Sequence, residues 1–231
     1  MRQPIKPGIL RPLEFMKHQT GRRGSTLNLD NSVPIMLTES GLQVADVLFC
    51  RSDDLLINYG SAGQYTHAAI YLGGGLVAEA TTEGVKESCL ADFIARYTYV
   101  AVTRADGMSQ EPEMQSAILT WCQKHIDACT PYDYLGAGLS PTLELIELSR
   151  SRNKTLPPKT SAQVERKRTF CSQFVADAFI AGGFFVVGQP NSAARSPTAL
   201  AEDNNFQLKG YLIASGDLNL VKDDLLWGGD A

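Results

Sequence analysis

One cysteine occupies a position where a thiol could act as a nucleophile. The segment Thr169–Ala181 (TFCSQFVADAFIA) has the apolar spacing of an amphipathic helix, with Thr169 able to cap its start and Gly182-Gly183 able to end it. Cys171 then lies in the first turn, where free backbone N–H groups and the helix dipole stabilise an anion. That position lowers the pKa of a thiol and favours nucleophilic catalysis. Core packing between phenylalanines is the competing interpretation.

A histidine that could serve as the base opens an apolar, strand-like segment. His67 begins the run in Thr66–Gly73 (THAAIYLG), where a buried imidazole needs a hydrogen-bond partner. His18 lies in an irregular region and His125 lies on the packing stripe of a helix, so both are poorer candidates. A core histidine with satisfied hydrogen bonds is the alternative. If Cys171 has a histidine base, we expect it to be His67.

Glu79 could orient this histidine if the register of a hairpin places both side chains on one face. Three glycines separate the strand candidates Thr66–Leu72 and Leu76–Ala80. A three-residue loop makes Leu72 face Leu76 and pairs Ala69 with Glu79, which puts Glu79 on the same face as His67. A two-residue loop would reverse the parity and separate the two side chains. Three other acceptors compete for the histidine: Glu83, Asp92 or a backbone carbonyl.

The sequence contains no other catalytic or cofactor motif. The remaining cysteines look structural, and none is spaced as a zinc ligand: Cys50, Cys89, Cys122 and Cys129. GxSxG, phosphate-binding P-loop and GxGxxG patterns are also missing from the sequence. We therefore expect neither a metal nor a cofactor.

Composition and charge narrow the class of protein. The chain has 231 residues, 44% of them hydrophobic and 20% charged, which is typical of a globular protein with a full core. A net charge of −4 gives no reason to expect nucleic acid as a partner, and no apolar run has the length of a membrane span. Five cysteines, an odd number, favour a reducing compartment. The basic N-terminal segment lacks the apolar region of a secretory signal, so we expect the protein to be made in a cytoplasm.

The order of the elements favours an α+β fold. Strand candidates come mostly first and in hairpin-like succession: Val44–Cys50, Thr66–Leu72, Leu76–Ala80, Tyr97–Thr103 and, last, Phe206–Ala214. Helix candidates lie to one side: Pro112–Cys129, Leu143–Leu148, Thr169–Ala181 and a short helix opened by Ser196-Pro197.

We divide the chain into three regions. Residues 1–38 predict an irregular arm, residues 39–214 a catalytic domain, and residues 215–231 a C-terminal tail. Residues 150–168 within the domain hold seven basic residues against one acid, a net charge of +6, and predict a basic, mobile insert exposed to solvent.

These motifs together resemble the NlpC-type cell-wall peptidases of the papain-like superfamily, in their circularly permuted form (the YiiX-like and YebB-like proteins). Pro131–Gly138 (PYDYLGAG) resembles the PYxWGG-like segment of the ordinary branch, and Phe170–Val175 (FCSQFV) resembles its DCSG-like helix start. In the ordinary branch the histidine follows the cysteine, whereas His67 precedes Cys171. That reversed order is the mark of the permuted branch. The resemblance covers about residues 43–206, with Gln173 where the family has glycine.

The resemblance implies both a fold and an assignment of roles. The fold would be papain-like, with an antiparallel sheet or half-barrel packed against helices that include the nucleophile helix. Cys171 would be the nucleophile, His67 the base and Glu79 the third polar residue. Tyr132 would lie beside the thiolate or the oxyanion.

The function implied is that of a thiol amidase or endopeptidase acting on peptides of the bacterial cell wall. Lacking a signal peptide, such an enzyme would need a specialised secretion machine that delivers it as an antibacterial toxin to a target periplasm, with an immunity protein as a further partner. An alternative is hydrolysis or transfer of acyl groups on lipids or proteins, since the permuted branch also resembles the lecithin:retinol acyltransferase group. That alternative predicts an apolar groove next to Cys171. A third reading is a non-catalytic binding module.

Overall fold

Six strands of the described residues form one sheet in which every neighbouring pair is antiparallel. The computed structural model describes residues 35–52, 63–139, 167–185 and 195–227. The strands are β1 (Val47–Arg51), β2 (His67–Gly73), β3 (Leu76–Thr81), β4 (Gly84–Cys89), β5 (Tyr99–Ala105) and β6 (Phe206–Leu212). Their order across the sheet is β4-β3-β2-β1-β5-β6. Five of these strands match the predicted segments, with ends that differ by a few residues.

Helices cover both faces of this sheet. They are α1 (Leu90–Ile94), α2 (Pro112–Asp127), α3 (Cys171–Ala181) and α4 (Pro197–Ala201), with 3-10 turns at Glu39–Gly41, Met108–Gln110 and Leu218–Val221. Pro112 opens α2 with its ring-restricted φ, as predicted. The Ser196 hydroxyl accepts a hydrogen bond from the Ala199 N–H and caps α4. The observed architecture is α+β, in agreement with the expectation from the order of the elements.

Two observed elements were not predicted, one predicted helix start needs correction, and two predicted segments lie wholly or mostly outside the described residues. The hairpin strand β4 and helix α1 were not predicted, because β4 is a polar edge strand with weak apolar alternation. Helix α3 begins at Cys171 with Phe170 as its N-cap, and Thr169 makes no side-chain capping bond. The helix candidate Leu143–Leu148 and residues 150–166 of the basic insert lie outside the described residues.

The sheet is buried on both faces, which explains why its central strands are continuous apolar runs. Helices α2 and α3 close the larger face, where Phe49, Ile118 and Phe179 are among the fully buried side chains. Helix α1 closes the smaller face through Phe93, against side chains such as Ala69. Because side chains alternate along a strand, His67 and Glu79 belong to the smaller face.

The chain on either side of the predicted catalytic domain contacts its core. Met36 pairs with Tyr211 of β6, and Asp224 is buried and accepts hydrogen bonds from the hydroxyls of Tyr65, Tyr99 and Tyr211 at 2.6–2.8 Å. The division into arm, domain and tail stays a prediction, but residues 215–227 contribute to the same core.

No helix within the four described stretches has the length and apolar character needed to cross a membrane. All five cysteines lie within those stretches, and all are free thiols.

Candidate active site

Cys171 is the first residue of α3, at the point where the chain turns from extended backbone into the helix. The preceding Phe170 is extended, with φ −120° and ψ 169°, and the thiol residue is only 6% exposed. The sulfur of Cys171 accepts hydrogen bonds from the backbone N–H groups of Ser172 and Ala68. These donors and the start of the helix favour a thiolate, as the sequence analysis predicted.

His67 begins β2 and meets the thiol at the end of that strand. Its imidazole hydrogen-bonds the Cys171 side chain. Its Nε2 lies 3.0 Å from Oε2 of Glu79. Because Nε2 is engaged by the carboxylate, Nδ1 is the nitrogen left to face the thiol. The structure therefore connects Cys171, His67 and Glu79 through two successive hydrogen bonds, with the imidazole in the middle.

Glu79 reaches His67 because a bulge corrects the register of the hairpin. Ala69 pairs with Glu79, as predicted, but Gly73 rather than Leu72 pairs with Leu76. The predicted three-residue loop is therefore wrong in detail, since the turn itself has two residues, Gly74 and Gly75. A two-residue turn alone would reverse the parity, and the extra residue in β2 restores it.

The three successive glycines explain how the chain makes this turn. Gly73, Gly74 and Gly75 have φ values of 95°, 59° and 73°, which place all three in the left-handed region. Residues with a Cβ adopt this region at a steric cost, whereas glycine enters it freely. The glycine run therefore allows the turn and the adjoining bulge, and so helps to put Glu79 on the face of His67.

The carboxylate of Glu79 has three side-chain partners and no exposed surface. Oε2 contacts His67, while Oε1 accepts hydrogen bonds of 2.6 Å from Ser88 Oγ and from Arg96 Nη2. The other two carboxylates proposed as acceptors lie elsewhere: Glu83 pairs with Lys86 at 2.8 Å, and Asp92 is exposed. The geometry thus favours Glu79 among the predicted acceptors.

The electrostatics of the three groups are mutually reinforcing. Burial acts to lower the pKa of His67, but the hydrogen bonds to Cys171 and Glu79 and their negative charges raise it to about 9. Burial acts to raise the pKa of Glu79, yet the bonds from His67, Arg96 and Ser88 lower it to about 2. Burial likewise acts to raise the pKa of Cys171. The hydrogen bond from His67, the positive charge of His67 and the hydrogen bonds from two backbone N–H groups outweigh burial and bring this pKa below its ordinary value. This arrangement favours a thiolate–imidazolium pair.

Two aromatic rings hold the imidazole in place. The Tyr97 ring stacks on His67 with 5.9 Å between centroids and 14° between planes, and the Phe93 ring lies 6.2 Å away. The guanidinium of Arg96 lies over both aromatic rings, at 5.0 Å and 5.6 Å. Four residues that contact this site were not predicted from the sequence: Ser88, Phe93, Arg96 and Tyr97. The polar alternation of β4 was the available signal for Ser88.

Tyr132 reaches the thiol through a short backbone pairing. It forms a parallel bridge with Thr169, in which Asp133 N–H donates to the Thr169 carbonyl at 2.9 Å and Thr169 N–H donates to the Pro131 carbonyl at 3.1 Å. Burial raises the pKa of the Tyr132 phenol, as do the negative charge of Cys171 and the hydrogen bond donated to its sulfur. The basic insert separates Tyr132 from Cys171 in sequence but not in space. All four predicted site residues therefore meet.

A thiol at the start of a buried helix, facing a histidine on an antiparallel sheet, defines a papain-like cysteine hydrolase. Residues 41–135 match the family model described as permuted papain-like amidase enzyme, YaeF/YiiX, C92 family. The match confirms the permuted papain-like resemblance, the α+β papain-like fold class and the enzyme class, a cysteine peptidase or amidase. It includes His67, Glu79 and Tyr132 and ends before Cys171. A search of curated proteins finds no match.

Proposed function

We propose that this cysteine hydrolase cleaves amide bonds in peptides of the bacterial cell wall. In this reaction Cys171 is the nucleophile and His67 is the acid and base. Glu79 orients His67, and Tyr132 donates a hydrogen bond to the oxyanion. The roles are assigned from two successive hydrogen bonds. One joins the Cys171 side chain to the imidazole of His67, and the other joins the imidazole to the buried Glu79 carboxylate. The substrate class follows from the resemblance to NlpC-type peptidases.

The reaction begins with attack of the Cys171 thiolate on the carbonyl carbon of the scissile amide. The C=O electron pair moves onto oxygen, and the hydroxyl of Tyr132, which hydrogen-bonds the Cys171 side chain, donates to the oxygen that carries this charge. The His67 imidazolium gives its proton to the leaving amine, which leaves an acyl-enzyme and a neutral imidazole. His67 then takes a proton from water, and the hydroxide formed in this step releases the acyl group and regenerates the thiolate.

The proposed route to the substrate is delivery by a specialised secretion machine. A cell-wall hydrolase made in a cytoplasm must cross a membrane before it meets peptidoglycan. An antibacterial toxin carried into the periplasm of a target cell satisfies both conditions, and its producer would carry an immunity protein that binds this site.

Purified cell-wall sacculi provide the direct test. The wild type and Cys171→Ala are incubated with sacculi, and the soluble fragments are identified by mass spectrometry. We expect the wild type to release peptides with one new amine terminus for every bond cleaved, and Cys171→Ala to release none. Cys89→Ala is the matched control, because Cys89 is an exposed thiol with no part in the proposed mechanism, and its loss should leave the fragment pattern unchanged. Fragments that are identical for the wild type and Cys171→Ala would refute the proposal.

A second substrate class is favoured by one observation. Tyr134 and Leu135 are 62% and 73% exposed, and Leu139 is also exposed. The Tyr134 ring lies 5.2 Å from the ring of Tyr132, so this apolar surface adjoins the site. An acyl hydrolase or transferase would use such a surface for an acyl chain.

The two substrate classes separate in one further measurement. Phospholipid vesicles and acylated peptides are incubated with the wild type and Cys171→Ala, and released or transferred acyl groups are measured by mass spectrometry. Acyl release that depends on Cys171, with no cleavage of sacculi, would replace the cell-wall substrate by an acyl substrate. No acyl release, with sacculi cleaved, would leave the cell-wall peptide as the substrate.

A further inference from the structure

Arg96 contacts the site from a segment that the catalytic roles above do not include. It lies just after α1, and its Nη2 donates a 2.6 Å hydrogen bond to Oε1 of Glu79, the carboxylate oxygen that does not face His67. Its guanidinium rests over the rings of Phe93 and Tyr97, and Tyr97 in turn stacks on the imidazole. One side chain thus touches both the carboxylate and the aromatic support of the base.

We propose that Arg96 is a positioning residue that acts through Glu79, keeping this carboxylate ionised and aimed at His67 throughout the reaction. The proposal rests on the function proposed above. In this proposal Arg96 does not contact the substrate or the reacting sulfur. It controls whether Glu79, which orients the base, is ionised.

The physical reason is that His67 changes its charge during the reaction and Arg96 does not. When the imidazole is neutral, a fully buried Glu79 without a cation would be an uncompensated charge and would tend to take up a proton. A protonated Glu79 would no longer stabilise the imidazolium. A guanidinium stays protonated at every accessible pH, so its ion pair keeps Glu79 anionic in both states of His67.

The other groups around Glu79 do not supply this constant charge. Cys50, on β1, and Tyr97, in the segment after α1, both face the site. Burial raises the pKa of each side chain, so both are neutral. Ser88 on β4 donates a neutral hydrogen bond. Lys86, also on β4, forms its ion pair with the exposed Glu83 at 2.8 Å. Cys171 on α3 carries the opposite charge when ionised.

Alkylation of the thiol by iodoacetamide tests the proposal without a known substrate. The rate at Cys171 is followed by peptide mass spectrometry as a function of pH, with Cys89 and Cys129 in the same chain as exposed reference thiols. We expect Arg96→Met, which keeps the stem on Phe93 but removes the charge, to raise the midpoint of Cys171 alkylation by about one pH unit. Arg96→Lys keeps the positive charge, so its alkylation midpoint should stay close to the wild-type value. Lys86→Met is the matched control, since Lys86 and Arg96 are both 40% exposed, and it should leave the midpoint unchanged.

A double-mutant cycle shows whether Arg96 acts through Glu79. If it does, Arg96→Met adds no shift in a Glu79→Gln background. An equal shift in both backgrounds, or a shift as large for Lys86→Met, would overturn the proposal. If Arg96→Met does not fold, Arg96→Lys and Ser88→Ala, which changes the other Oε1 donor, decide the question by the same readout. Wild-type Cys171 that reacts no faster than Cys89 would instead refute the proposed function itself.

Discussion

Replacing Glu79 by glutamine should uncouple the base from its charge partner while preserving the shape of the site. Glutamine is isosteric with glutamate and can still accept a hydrogen bond from His67 Nε2, which lies 3.0 Å from Oε2. It carries no negative charge, so the imidazolium loses its main anionic neighbour other than Cys171. The pKa of His67 should therefore fall from about 9 toward its ordinary value.

The magnitude follows from the contact that is lost. A hydrogen bond to a charged group contributes about 1.5–3 kcal/mol, and one pKa unit corresponds to about 1.4 kcal/mol. The pKa of His67 should drop by about one to two units. Because an imidazolium stabilises the thiolate beside it, the pKa of Cys171 should rise by a comparable amount. Turnover at neutral pH should fall by about ten- to a hundredfold, with a smaller change in substrate binding.

Two measurements check this prediction. The iodoacetamide alkylation midpoint of Cys171 should move to higher pH in Glu79→Gln, and the alkaline limb of the turnover profile should move to lower pH. Glu83→Gln is the control, because Glu83 is exposed and pairs with Lys86 rather than with His67. An unchanged alkylation midpoint in Glu79→Gln, or an equal shift in Glu83→Gln, would refute the assignment of Glu79 as the partner of the base.

Three further outcomes are expected. Cys171→Ala and His67→Ala should each abolish hydrolysis while leaving the thermal midpoint of unfolding nearly unchanged. A large loss of stability, with full activity of the folded fraction, would instead favour a packing role for these residues. Tyr132→Phe should lower turnover at least about tenfold, since the hydrogen bond that Tyr132 donates to the oxyanion is lost. Unchanged single-turnover kinetics would exclude Tyr132 from the chemistry. Asp224→Ala should lower the free energy of unfolding in urea by at least about 3 kcal/mol, because three buried tyrosine hydroxyls lose their acceptor. The exposed neighbour Asp223 serves as control, and an equal effect of Asp223→Ala would contradict the account.

Much of the site could be predicted because its signals are local. A cysteine in the first turn of an apolar helix, a histidine opening an apolar strand and a run of glycines each express their physical meaning within a few residues. The hairpin parity also placed Glu79 on the correct face, although the turn has two residues and a bulge supplies the third. Local chemistry therefore identified the candidate nucleophile, base and orienting acid, and the order of strands and helices identified the fold class.

The partners of Glu79 could not be predicted in the same way. Ser88 and Arg96 reach the carboxylate from a polar edge strand and from the turn after a five-residue helix, neither of which has the apolar periodicity that marks an element in sequence. Tyr132 was predicted near Cys171 only from the family resemblance, because no local pattern shows that a parallel bridge to Thr169 brings the two residues together.

The sequence by itself thus determined which residue types could form a thiol hydrolase and on which elements they lie. Only the tertiary structure decided the charge state of the site, because burial and contacts between distant segments set the pKa values of Cys171, His67 and Glu79. Those contacts depend on how the sheet and helices pack, and side-chain packing across long sequence separations leaves no periodic signal in the chain.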